Sequence, residues 1–203
     1  MNRIFSASRT GSILVALATL LSIAQAQDGI QKPDKTRKTS IKNFGCINSN
    51  FFRGAQPNAE GYKELAALGV KTVIDLQMEG VSQEKQLVED AGMKFVRIGM
   101  SDKESPSIDQ AAEFMKIVSD SANQPIFVHC KGGRHRTGAM TAVYRIEHDG
   151  WSADKAFEEM KQFDFNYGMG HGPLKDFVFS YYGHEDQRKA VATAVAGEAA
   201  STK

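Results

Sequence analysis

Short β-branched runs alternate along this chain with segments whose apolar residues recur every three or four positions. CINSNFFRGAQP (residues 46–57) reads as a first strand pair ending in a turn at Gln56-Pro57, and VKTVIDL, MKFVRI and PIFVH read as buried strands. The intervening segments carry end signals. Asn58 can cap a helix that turns Tyr62, Leu65 and Ala66 inward and stops at Gly69. Ser82 is placed to cap a helix bearing Leu87, Val88 and Ala91, ended by Gly92. Ser107 and Gln110 form a capping box, opening a helix with the stripe Ile108, Ala111, Met115 and Val118. A helix from about Thr137 to His148 ends at Gly150. Ser152 caps another, with Ala153, Ala156, Phe157, Met160 and Phe163 on one face, and PLKDFVFSYY forms a last one. Continuous apolar strands alternating with helices predict an α/β fold, a central, mostly parallel sheet flanked by helices on both faces.

The two ends read differently. Arg3 and Arg9 precede an apolar run over residues 13–24, and Ala24-Gln25-Ala26 is a small-residue cleavage site. Residues 1–26 are therefore expected to be a signal peptide, with an uncleaved membrane anchor as the alternative. Its removal takes away Arg3 and Arg9 and turns the formal net charge of +1 into −1. Residues 27–42 are polar and lysine-rich and read as a flexible lead-in. Residues 185–203, alanine-rich and charged, read as a frayed helix or disordered tail, leaving 43–184 as the domain. A balance so near neutrality gives no field to attract nucleic acid. The mature chain is expected to be exported, periplasmic or secreted, with no stable membrane span after cleavage.

The chemistry gathers where PIFVH ends. Cys130 closes that strand, and ligands in such sheets bind beyond the carboxyl ends of the strands. Gly132 and Gly133 let successive amides turn inward, and amides converging at a helix N-terminus hold an anion. Arg136 adds a planar, permanently charged fork that matches a phosphate edge. A cysteine in such surroundings has its pKa lowered from about 8.5 to about 3.5–7.5, so Cys130 is expected to be a thiolate. A sulfur nucleophile under an oxyanion cradle suits attack on phosphorus.

HCKGGRHRT, residues 129–137, resembles the signature of the cysteine-based protein tyrosine and dual-specificity phosphatases: His-Cys, five residues, Arg, then Ser or Thr. NFGCINSNFFRGAQP and GVKTVIDLQ are similar to the opening strands of atypical dual-specificity phosphatases of bacteria, plants and fungi. The resemblance implies a phosphocysteine intermediate, with Cys130 as nucleophile and Arg136 as phosphate clamp. It implies that His129 holds the loop and lowers the thiol pKa, and that Thr137 assists departure of the sulfur. On the residues alone, His129 and Thr137 also read as side chains that simply bond local backbone. The family takes its general acid from a loop that corresponds to GMSDKESPS. Asp102 is the expected acid and Glu104 its competitor. Asp75 reads as a structural or turn residue, and Asp109 sits in a helix first turn where the macrodipole explains a carboxylate.

The loop also speaks to substrate. Lys131, Gly132, Gly133, Arg134, His135 and Arg136 are the expected binding residues. Lys131 and Arg134 resemble the basic loops of phosphoinositide phosphatases, and Arg134 to Thr137 resembles the loops of enzymes that cleave inositol pyrophosphates. The expected partner is a phosphorylated protein or an inositol phosphate or phosphoinositide; alternatively, Lys131 and Arg134 only raise general anion affinity. Cys46 reads as a small buried hydrophobe, or as the partner of Cys130 in a protective disulfide. The histidines show no ligand spacing, so no metal and no cofactor is expected. FNYGMGHGP, residues 165–173, reads as a loop between helices that can border the pocket. The rival readings are a rhodanese-type sulfurtransferase and a non-catalytic phosphate-binding module.

Overall fold

The computed structural model describes residues 39–168 and 170–199. The expected leader, residues 1–26, and most of the lead-in lie outside the described residues. Strand β1 is Gly45–Asn48 and β2 is Phe51–Ala55, an antiparallel pair. Then follow α1 (Ala59–Ala67), β3 (Thr72–Gln77), α2 (Glu84–Asp90), β4 (Lys94–Met100), α3 (Ile108–Ser119), β5 (Ile126–Cys130) and α4 (His135–Asp149). Helices α5 (Ala153–Gln162), α6 (Gly172–Gly183) and α7 (Glu185–Ala199) complete the chain order. The sheet order is β1-β2-β5-β3-β4, and every pair except β1-β2 is parallel. The fold is thus the expected α/β type.

Alternation along the strands loads both faces. Ile126, Val128 and Cys130 point toward the core that holds Phe114, Met140, Val143, Met160 and Val178, under α3 to α7. Phe127 points the other way, with Phe52 and Val73, into a smaller core built by Tyr62 and Leu65 of α1 and Val88 of α2. His129 has the parity of Phe127 and stacks near it, ring centroids 5.7 Å apart. Adjacent residues of one strand therefore serve opposite faces, which is the geometric root of the site.

Local signals hold where they are self-contained. Asn58 accepts from the Gly61 amide at 2.9 Å, Ser152 caps α5, and the Ser107–Gln110 capping box forms in both directions. Gly150 ends α4 in the left-handed region. Ser82 does not cap α2. That helix starts at Glu84, with Gln83 at the cap position and no side-chain cap bond, because Glu84 is drawn wholly into the interior. Residues 39–42, the described part of the lead-in, pack onto the domain. Ser40 donates to Glu64 from its amide (2.8 Å) and hydroxyl (3.0 Å), and Ile41 is buried with Phe44 and Tyr62. The last segment is helix α7, which places Val191 in the main core against α3 and pairs Arg188 with Glu147 at 3.1 Å. Its apolar residues Val191 and Val195 are one turn apart, enough to seat an alanine-rich helix. Among the described residues no helix is long and apolar enough to cross a membrane.

Candidate active site

Strand β5 runs through the middle of the sheet, paired on both sides, and delivers Cys130 at its carboxyl end. Residues 131–134 then turn into α4. Gly133 makes the turn possible: its φ is +65°, and its backbone packs directly on Gly54 and Ala55 of β2. Cys130 is buried, 3% exposed. Burial alone would raise its pKa, but the Thr137 hydroxyl and amide, the Arg136 guanidinium and the Gly133 amide outweigh it and hold the thiol below its ordinary value. The motif residues Cys130, Gly133, Arg136 and Thr137 are thus brought together around one sulfur. Lys131 and Arg134 are exposed on the loop, and Gly132, His135 and Arg136 are half-buried.

Asp102 lies two residues past the end of β4. Arg136 Nη1 donates to the carbonyl of Met100, the last residue of β4, at 3.2 Å, so Arg136 and the Asp102 loop share one rim. The Asp102 loop is held from the other side by His171 and Pro173. His171 Nδ1 lies 2.8 Å from the Asp102 carbonyl, and the Ser105 hydroxyl donates to the Pro173 carbonyl at 3.1 Å. The His171 ring stacks on His135 of the cradle at 3.6 Å between centroids. Burial, then His171 and Arg134, push the His135 pKa down to about 4. Glu104 is exposed, and Asp109 lies in the first turn of α3 as its dipole favours.

His129 is fully buried on the opposite face. Its Nε2 is 2.7 Å from Glu84 Oε1, and its Nδ1 is 3.9 Å from Asp75 Oδ1. Tyr62 donates to Glu84 at 2.7 Å and Gln56 donates to the Tyr62 hydroxyl at 2.7 Å. Arg97 pairs with Asp75 at 2.8 Å and lies 3.6 Å from Glu84. Burial raises the Glu84 pKa, but the His129 hydrogen bond and charge, with Tyr62, bring it below the ordinary range. The spacing of histidines predicts no metal set, yet Asp75, Glu84 and His129 bring three ligand-type atoms within 4.8 Å of one another. Arg97, 2.8 Å from Asp75 and 3.6 Å from Glu84, already sets a cation beside both carboxylates.

Side chains far from the motif support the loop from beneath. Arg53, fully buried in β2, donates from Nη2 to the Gly133 carbonyl at 2.8 Å and lies 3.9 Å from the Phe163 ring centroid. Asn43 donates to the same carbonyl at 3.0 Å and to that of Phe163 at 3.0 Å. Arg53 lies in a segment read only as a strand pair, and His171 in a glycine-rich loop read as able to border the pocket; Asn43 and Glu84 carry no local signal.

The proposed disulfide is excluded by this register. Cys46 pairs with Phe52 and Cys130 with Ala55, so they lie two strands and three residues apart. That is on the order of 14 Å between Cα atoms, twice the roughly 7 Å limit. Cys46 also packs on the smaller core, on the other face of the sheet, where its thiol donates to the Asn48 carbonyl at 3.1 Å, and neither cysteine forms a disulfide.

A buried, acidified sulfur under converging amides and a guanidinium is suited to a tetrahedral oxyanion. Known proteins point the same way. The family profile described as a DSP-PTPase phosphatase fused to NAD+ kinase matches residues 30–170. The probable tyrosine-protein phosphatase DG1060 of Dictyostelium discoideum is 31% identical over 126 residues, 60% of this chain and 75% of that protein. The inositol diphosphatase SIW14 of Saccharomyces cerevisiae is 30% identical over 130 residues, 61% of this chain but 46% of that protein. The crystal structure of the core catalytic domain of this yeast PP-IP phosphatase, in complex with citrate, matches with a TM-score of 0.65 at 26% identity, covering 77% of this chain and 94% of that one. TpbA of P. aeruginosa shares the fold, with a TM-score of 0.67 at 23% identity over 80% of this chain and 98% of its own. By profile, relatives and architecture together, the chain is a phosphatase of the cysteine-based dual-specificity superfamily and belongs to the DSP-PTPase family.

Proposed function

We propose that the chain hydrolyses phosphate monoesters through a phosphocysteine intermediate, and that its substrate is a small molecule carrying several phosphates, of the inositol polyphosphate class. The carrying observation is the buried Cys130 at the end of β5, its thiol held below its ordinary pKa by Thr137, Arg136 and Gly133. In the first step the Cys130 sulfur attacks phosphorus while Asp102 protonates the departing oxygen. The cradle amides and Arg136 take up the charge on the equatorial oxygens. In the second step Asp102 removes a proton from water, the water attacks phosphorus, and the sulfur leaves as a thiolate stabilised by the Thr137 hydroxyl. Exposed Lys131 and Arg134 give the rim positive charge beyond what one phosphate needs. The relatives named inositol diphosphatases, in rice as well as yeast, support the same class. A phosphotyrosine protein is the second reading, supported by the Dictyostelium relative. We also infer export, from the leader pattern of residues 1–26.

The test is turnover of phosphotyrosine peptide, phosphoinositides and inositol polyphosphates by wild type and Cys130→Ser, with thiosulfate as a control. The expectation is highest kcat/KM on inositol polyphosphates and none above background for the serine variant. A serine variant as active as wild type would sink the mechanism. Preference for the peptide would move the substrate to the second reading.

A further inference from the structure

On the reading that Cys130 is the nucleophile, we propose that Arg53 is a positioning residue for the reaction. From beneath the loop it orients the Gly133–Arg134 peptide toward the anion and supplies a buried positive charge to the sulfur. Arg53 lies outside the His-Cys-to-Thr motif and contacts no substrate.

Burial makes the case first. Arg53 is fully buried in a strand whose five residues are all buried. Burying a guanidinium is strongly unfavourable unless its charge and donors are used. Here Nη2 alone finds an acceptor, the Gly133 carbonyl, while Nε and Nη1 have no hydrogen-bond partner among the described residues. Glu159, whose charge acts on Arg53, is itself gripped by Arg145 at 2.6–3.2 Å. The arginine is therefore not there to complete an ion pair.

Its location gives the role. Arg53 pairs in register with Val128, two residues before Cys130, so Arg53 and Cys130 face the same side of the sheet. Cys130 is among the charges acting on Arg53, and the interaction is mutual: the cation favours the thiolate as the thiolate favours the cation. Burial pushes the Arg53 pKa down to about 10, which leaves it charged at neutral pH.

Peptide geometry supplies the second effect. In a trans peptide the carbonyl oxygen and the following N–H point in opposite directions. The Gly133 oxygen is drawn toward Arg53 and Asn43, so the Arg134 N–H must point the other way, into the cradle. The Phe163 ring against the guanidinium keeps the fork from swinging.

The test uses Arg53→Met, which keeps bulk without charge, and Arg53→Lys, which keeps the charge on a single nitrogen without the planar fork. Cys130 alkylation by iodoacetamide is followed across pH at peptide level, so that Cys46 does not contribute. Protection by vanadate and the pH profile for para-nitrophenyl phosphate are measured alongside thermal melting. Arg53→Met is expected to raise the alkylation midpoint and the acid limb of kcat/KM by about one pH unit. It should also weaken vanadate protection at least about tenfold. Arg53→Lys should restore the midpoint to within about half a unit and still protect about tenfold less well. A folded Arg53→Met with the wild-type midpoint and vanadate constant overturns the proposal. If that variant does not fold, wild-type protection in Arg53→Lys overturns it; if neither folds, Arg53 is scaffold and the proposal also falls. A wild-type midpoint near that of free cysteine would instead defeat the nucleophile reading itself.

Discussion

Replacing Gly133 by alanine asks more of this fold than one methyl suggests. The residue sits at φ +65°, where an alanine costs about 1–2 kcal/mol. Its Cβ would fall on the Gly54 carbonyl group and 2.5 Å from the Ala55 nitrogen. Those atoms are backbone of β2, so no rotamer change relieves the contact. Overpacking of this kind adds about 1–3 kcal/mol, for a total of about 2–5 kcal/mol. The loop must lift, stretching the bonds that Arg53 (2.8 Å) and Asn43 (3.0 Å) make to the Gly133 carbonyl. A shift near 1 Å in the cradle corresponds to roughly a hundredfold loss of turnover. Gly132 is the internal control: a Cβ there meets nothing closer than the Arg134 side chain at 3.7 Å. Gly132→Ala should stay within about 0.5 kcal/mol of wild type. The assay is urea unfolding at pH 7 together with aryl phosphate turnover. Equal midpoints for the two variants, with turnover of Gly133→Ala within twofold of wild type, would refute the reasoning.

The His129 network gives a second expectation: Glu84→Ala strands two buried partners and should lower stability by about 3–5 kcal/mol in urea unfolding. A loss under about 1 kcal/mol would show that the network adds little. Acid sensitivity has two stages. The folded state disfavours a charged His135, so stability declines as pH falls from 6.5 toward about 4, and His135→Gln should flatten that part of the urea-midpoint profile. Glu84, with its folded pKa lowered, contributes stability that is complete above 4.5 and is lost on further acidification, a limb that His135→Gln leaves in place. Ile41→Ala should cost about 2–5 kcal/mol if residues 39–42 belong to the core, and an unchanged thermal midpoint would contradict their packing.

What was legible in the chain was what is contiguous in it. The capping box at Ser107 closes over three residues, and the His-Cys-to-Thr motif spans residues 129–137, so both show without tertiary context. The supporting contacts join residues far apart: 80 positions for Arg53 to Gly133, 69 for His171 to Asp102, 90 for Asn43 to Gly133. No periodicity encodes such pairings. Ser82 failed as a cap because a local preference near 1 kcal/mol yields to a buried carboxylate that must reach His129. Ile41 was hidden in a polar run, because a single apolar side chain gives no pattern until a core is there to receive it.

The sheet itself has a chemical consequence for oxidative damage. With its two sulfurs on opposite faces, the chain offers no internal thiol to condense with a sulfenic acid formed at Cys130. Any disulfide that shields the oxidised Cys130 must then take its second sulfur from a thiol outside the chain, and the supply of that thiol decides how much sulfenic acid is caught as a disulfide before it passes to the irreversible sulfinic and sulfonic acids.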